Sequence, residues 1–123
     1  MESWFRFDPI DLRPNGYISQ VFALYDKTLN EYELGFGVSN TFLRVYLGTT
    51  IHDIHFSFAT TTDYWHYVAV SYGRHLEDET MLYVFIDNLQ VFSGVVLDWY
   101  DYKYAYTEYY LHIAKDFPGI VRK

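Results

Sequence analysis

Short runs rich in aromatic and β-branched residues, separated by clusters of Gly, Asn, Asp and Thr, recur along the whole chain. A side-chain period of two belongs to strands, and bulky branched or flat side chains pack well on a pleated surface. The pattern predicts about nine strands, over residues 3–8, 17–25, 31–37, 41–47, 51–58, 65–72, 81–87, 89–92 and 109–114. Turn chemistry falls between them. Pro14 precedes an Asn15-Gly16 pair, Ser39 and Asn40 follow Gly37 and Val38, and Asp87-Asn88 separates two apolar runs at tight-hairpin spacing. The one segment with helix formers, 21–29, reads equally well as a strand ending near Tyr25 and a polar Asp26-Lys27 turn. The expected fold is all-β, an antiparallel sandwich of two sheets.

Half of the 123 residues are hydrophobic and 20% are charged, enough apolar surface to offset chain entropy around a single core. With no linker, low-complexity stretch or internal repeat, residues 1–123 read as one domain. The net charge of −7, with no Lys/Arg stripe to displace counterions from phosphates, argues against non-specific binding to nucleic acid and disfavours an anionic membrane surface. No apolar run approaches the roughly 18 residues that span a bilayer, so no membrane insertion is expected. The opening residues 1–8 lack the basic start and apolar run of an export signal. The absence of cysteine removes disulfides, thiolate catalysis, Cys-type zinc sites and iron–sulfur clusters together.

The most specific stretch is Asp63-Tyr-Trp-His-Tyr-Val-Ala-Val-Ser-Tyr-Gly73, followed after a polar loop by Met81-Leu-Tyr-Val-Phe-Ile-Asp-Asn-Leu-Gln-Val91. This pair resembles the hallmark of concanavalin A-like, laminin-G-like jelly-roll domains, in which a Trp-His-x-Val-Ala-Val-x-Tyr strand leads into a strand ending in an Asp-Gly hairpin. Trp65, His66, Val68, Ala69, Val70 and Tyr72 match the first part, and Leu82, Tyr83, Val84 and Asp87 the second. Asn88 stands where the family has Gly, and it is the next best residue for a positive φ. Residues 2–8, 32–37, 42–47 and 111–120 resemble other family strands more weakly, with Ala114 at a usual Gly. The resemblance implies a jelly-roll sandwich that acts in recognition or adhesion, binds a glycan or a protein, and works outside the cell or at its surface. The family continues past its Phe-x-Gly segment with a strand that lies back across the sheet. Because this chain stops at Lys123, a terminal strand is expected to be missing and an open sheet edge to face a partner or a larger assembly.

The family pattern places Trp65 in the core, as an anchor between the sheets rather than a platform for a sugar, with Val68, Val70, Leu82, Val84 and Ile86. His66 is expected as a hydrogen-bonded strand residue, since no Ser and Asp stand in triad relation to it. His52 and His55, three apart on a strand, project to opposite faces and do not share a metal ion. Calcium is the possible cofactor, its candidates being Asp98 and Asp101 and the acidic loop Glu77-Asp78-Glu79, because hard cations take oxygen ligands from rim loops.

Residues 98–110 are dense in Tyr, with Tyr100, Tyr102, Tyr104 and Tyr106 at every second position. Trp99, Tyr102 and Tyr104 are the candidate ligand-binding residues, able to stack on sugar rings or anchor a protein. Glu31 and Glu33 share a strand face, as a retaining glycosidase requires, yet the spacing and central Asp of the glucanase strand are absent. Thr107-Glu-Tyr-Tyr-Leu111 is similar to the nucleophile strand of jelly-roll xylanases, but those enzymes are rich in Gly, Ser and Thr and this chain has 7 Gly. The expected function is therefore non-catalytic recognition or adhesion. The alternatives are a structural subunit buried in a larger assembly and, third, a glycoside hydrolase.

Overall fold

The computed structural model describes residues 1–7, 18–48, 50–56, 64–76, 79–96, 109–115 and 119–122. Ten strands run in chain order: β1 (Glu2–Phe7), β2 (Ser19–Asp26), β3 (Glu31–Val38), β4 (Phe42–Leu47), β5 (Thr50–His55), β6 (His66–Leu76), β7 (Glu79–Ile86), β8 (Leu89–Val96), β9 (Tyr109–Lys115) and β10 (Gly119–Arg122). All pairings are antiparallel and build two five-stranded sheets. The first sheet has the order β10-β1-β6-β7-β8 and the second β5-β4-β3-β2-β9. Two meanders, β2 to β5 and β6 to β8, supply most of the neighbours, and β1 and β9 join them from distant parts of the chain. No described residue is helical, and no helix is long and apolar enough to cross a membrane.

The alternation that builds the strands also builds the core. Val68 and Val70 on β6 and Leu82, Val84 and Ile86 on β7 face Val21, Phe36, Val38, Leu43, Val45, Leu47 and Ile54 of the other sheet, with Phe5 from β1. Residues one step out of phase on β6, Tyr67 and Ala69, face away from this layer.

By the same phase, Trp65 falls outside it, and here the structure departs from the family pattern. Trp65 is half-buried beside the start of β6, apart from the core cluster, with the guanidinium groups of Arg6 and Arg122 5.3 and 5.0 Å from its ring centre. The neighbouring Trp4 and Tyr67 rings lie 5.0 Å apart on the outer side of the same sheet, and Trp4 is 44% exposed.

A second departure concerns the end of the chain. None of the nine expected strands covers the last residues, whereas Gly119–Arg122 returns as β10 and pairs along β1 from Trp4 to Phe7. Val121 packs against the core, and the Ser3 hydroxyl donates to the Arg122 carbonyl at 2.7 Å. The edges of the first sheet are thus β10 and β8.

Local chemistry sets the turns. Asp26 Oδ1 accepts from the backbone N–H of Thr28 and Leu29, at 2.8 and 3.1 Å, and Asn30 takes φ 57°, so the chain turns after β2 instead of continuing as a helix. Asp87 and Asn88 both have positive φ, 52° and 67°, the requirement of a two-residue hairpin that matches strand twist. Asp87 also ties that hairpin to β6. Its carboxylate accepts from the Tyr67 N–H at 2.8 Å and bonds His66 Nδ1 at 2.8 Å, and His66 is buried. The two halves of the sequence motif meet in this contact.

Candidate functional site

On the outer face of the second sheet, described residues line an open cavity. Strand pairing lays its side chains in cross-strand rows. One row runs Asp53, Arg44, Gly37, Gln20, and the next runs Ile51, Tyr46, Gly35, Ala23, His112. Small residues at the middle of each row leave a trough, and larger ones on both sides form its walls.

Two irregularities shape this face. Val21 is an extra residue on β2 between the Gln20–Gly37 and Phe22–Phe36 pairs, and Glu33 is an extra residue on β3 between Leu34–Leu24 and Tyr32–Tyr25. Such bulges shift the phase of a strand and re-aim its side chains. The first buries Val21 in the core while Gln20 remains on the outer face. The second brings Tyr32 onto the outer face, where its ring centre lies 5.2 Å from that of Tyr46 and its hydroxyl bonds His112 Nδ1 at 2.9 Å. Because the bulge falls at Glu33, Glu31 and Glu33 do not follow simple alternation. Glu31 reaches the cavity lining and Glu33 does not.

The cavity, about 360 Å³, is lined by Ile18, Gln20, Glu31, Tyr32, Arg44 and Tyr46, with Gly48 and Ile51 at its margin. That volume lies within the range of small-ligand pockets, about 300–1,000 Å³. Gln20 is 6% exposed and donates from Nε2 to the Tyr46 hydroxyl at 2.9 Å, while its Oε1 is buried and has no protein partner. Arg44 donates from Nε and Nη2 to the two oxygens of Asp53, at 2.8 and 2.9 Å. Asp53 holds Arg44 above its ordinary value, and Arg44 holds the Asp53 carboxyl below the usual carboxylate range. Burial pushes the Tyr46 hydroxyl up, against the hydrogen bond from Gln20. Beside the cavity, Tyr25 stacks on His112 with centres 5.2 Å apart and ring planes 14° from parallel. The result is an ion pair and several ring faces, with the unpaired Gln20 Oε1 sealed beneath them.

Comparison with protein families, curated proteins and solved structures finds no match to this chain.

Asp98, Trp99, Asp101, Tyr102 and Tyr104, the sequence candidates for calcium and ligand binding, lie outside the described residues. Among the described residues no three His, Asp or Glu side chains converge to hold a metal ion. His52 and His55 do point to opposite sides of β5: His55 is exposed, and His52 Nε2 is buried without a hydrogen-bond partner. Gln20, Tyr32, Arg44, Tyr46 and His112 were not candidates from the sequence. The available signal was Gly35-Phe36-Gly37, two glycines at strand period on what reads as an interior strand, which clears one face of side chains.

Burial lowers the values of both His52 and His112, with Asp53 opposing the shift at His52 and Lys115 adding to it at His112. A histidine whose folded value lies below its unfolded 6.5 favours the native state while neutral. That contribution is present above pH 6.5 and is lost as pH falls toward the folded value. Asp53, also lowered, adds a loss of the same sign below its unfolded value of 3.8. The melting midpoint is therefore expected to fall on acidification from about pH 7.5 to about pH 5, and His52→Gln to flatten the slope. A midpoint that rises over this interval contradicts the assignment.

Proposed function

We propose that this chain is a non-catalytic recognition module of the concanavalin A-like, laminin-G-like jelly-roll kind, binding a glycan on the outer face of its second sheet. The observation that carries the reading is the cavity lined by Gln20, Tyr32, Arg44 and Tyr46, which sets aromatic ring faces beside polar side chains. Saccharides present that combination of needs: apolar C–H faces that pack on aromatic rings, and hydroxyls that donate and accept. A concave cavity with aromatic walls suits a small ring better than the flat surface of a protein partner. The motif that suggests the fold supports the reading as well, since His66 and Asp87, from its two halves, bond each other. Non-catalytic binding is favoured because Glu31 is the single carboxylate among the described lining residues, where retaining glycoside hydrolysis uses two.

The test is thermal melting with a panel of soluble oligosaccharides. A ligand at about 100 times its Kd adds about 2.7 kcal/mol to stability and raises the midpoint. A panel in which no saccharide moves the midpoint, at millimolar concentration, defeats the reading.

One observation favours the second reading, a structural subunit in a larger assembly. A cleft of about 550 Å³ opens between the sheets where β1 and β10 approach β2 and β9, lined by Met1, Val21, Phe22, Leu111, Ile113 and Val121. Leu111 and Ile113 are 52% and 59% exposed there. The mass of the chain in solution separates the two: a monomer that binds saccharide supports recognition, and a defined multimer supports the subunit.

A further inference from the structure

We infer that β9 is the seam of a symmetric dimer, in which two copies of the chain pair β9 with β9 antiparallel, about a two-fold axis at His112, and join their second sheets into one sheet of ten strands. The inference rests on the second reading, the subunit in an assembly, and names its partner. Its first support is a comparison of the four edges among the described strands, β10 and β8 in the first sheet and β5 and β9 in the second. Sheet edges are guarded against pairing by shortness, bulges or charge. β10 has four residues, β8 meets β7 across a bulge between Val84 and Phe85, and β5 carries Asp53 with His52 and His55. β9 has none of these guards. Its seven residues pair with β2 without a register shift, and its single Lys, Arg, Asp or Glu is Lys115, at the very end. Such an edge offers alternate backbone N–H and C=O groups to an added strand.

The second support is the apolar surface beside that edge. Leu111 and Ile113 point to the inner side of the sheet, yet each is more than half exposed, because they line the open cleft with Val21, Phe22 and Val121. An added strand sets its own inward side chains against this cleft, and the strand that fits is β9 itself. With the axis at His112, Leu111 stands opposite the partner's Ile113 on either side of the axis. Residues directly opposite in an antiparallel pair share a face, so the four side chains form one apolar cluster on the inner side of the joined sheet.

The third support is charge. Each chain carries −7, so two copies approach best where carboxylates are missing, and residues 110–115 hold none. In the same register Lys115 faces the partner's Tyr109, which puts the two lysines at opposite ends of the ladder. His112 faces the partner's His112. Burial, with Lys115 adding to it, holds His112 below its ordinary value, so above pH 6.5 this central pair is uncharged. No two like charges therefore stand opposite each other along the seam.

The experiment is the mass of the intact chain by sedimentation equilibrium at about 100 μM, a concentration that populates a dimer of micromolar Kd. Twice 14.7 kDa is the expected result. Leu111→Lys and Ile113→Lys each bring two ammonium groups into the seam, the device by which natural edges refuse a partner, and each should return the mass to 14.7 kDa. Both side chains already stand more than half in water, so each variant should keep the circular dichroism of the parent. Val95→Lys, at an exposed position on β8, should leave the dimer intact. A multimer that survives either of the β9 lysine variants, or one larger than two chains, overturns the inference and leaves the subunit reading standing. A monomer removes both.

Discussion

Gly35→Ala is expected to destabilise the protein by more than about 3 kcal/mol, which for a domain of this size approaches complete unfolding. Gly35 adopts φ +130°, outside the conformations open to other L-residues. A Cβ there would sit 2.1 Å from the Phe22 carbonyl oxygen and 2.6 Å from the Ala23 Cα. Both obstacles are backbone of the neighbouring strand, so no rotamer change relieves them. Separating β2 from β3 would break the pairing at the middle of the second sheet, next to the Gln20 trough. Gly73→Ala is the control: nothing lies within 4 Å of a Cβ at that position, so alanine there should be neutral or slightly stabilising. Urea unfolding of the two variants reads the difference. A Gly35→Ala protein within about 1 kcal/mol of the parent would mean that β2 and β3 do not approach in this way.

Phe5→Ala is expected to cost about 3–5 kcal/mol, the range for truncating a fully buried aromatic side chain. Phe5 is completely inaccessible, opposite Val121 on one side and His66 on the other, with its ring centre 5.6 Å from that of His66. Its strand carries β10 on one edge and β6 on the other, so a hole beneath β1 loosens both seams. Trp65→Ala should cost less than Phe5→Ala despite the larger side chain, because Trp65 is half-buried and outside the core cluster. Chemical denaturation gives the ranking, and a Trp65→Ala loss equal to or above that of Phe5→Ala would return Trp65 to the interior.

That contrast also measures what the sequence could tell. Nine of the ten strands were legible because runs of aromatic and β-branched residues between turn residues mark them, and the Asp87-Asn88 turn because two positive φ values demand such residues. β10 escaped notice: four residues directly after Pro118 are too short for a period to register. For Trp65 the periodicity held the answer. If Val68 and Val70 point inward, residue 65 points outward, against the family pattern. The outer face of the second sheet was illegible for a physical reason. Bulges at Val21 and Glu33 change the strand phase on either side of Ala23 and Gly35, so no single alternation joins Gln20 to Tyr32. Only pairing across strands brings Gln20, Tyr32, Arg44 and Tyr46 to one place.

The antiparallel seam between β1 and β10 has a mechanical consequence. Trp4 faces Arg122 and Phe7 faces Gly119, so Glu2 and Arg122 lie toward the same end of the strand pair. Tension applied between those two residues loads the ladder one rung at a time, opening it as a zipper rather than straining all rungs together in shear. Such a seam yields at low force, and it lies in the first sheet. The Gln20–Tyr46 trough belongs to the second, whose pairings that peeling does not touch, so under tension the first sheet would open at its edge while the trough kept its shape.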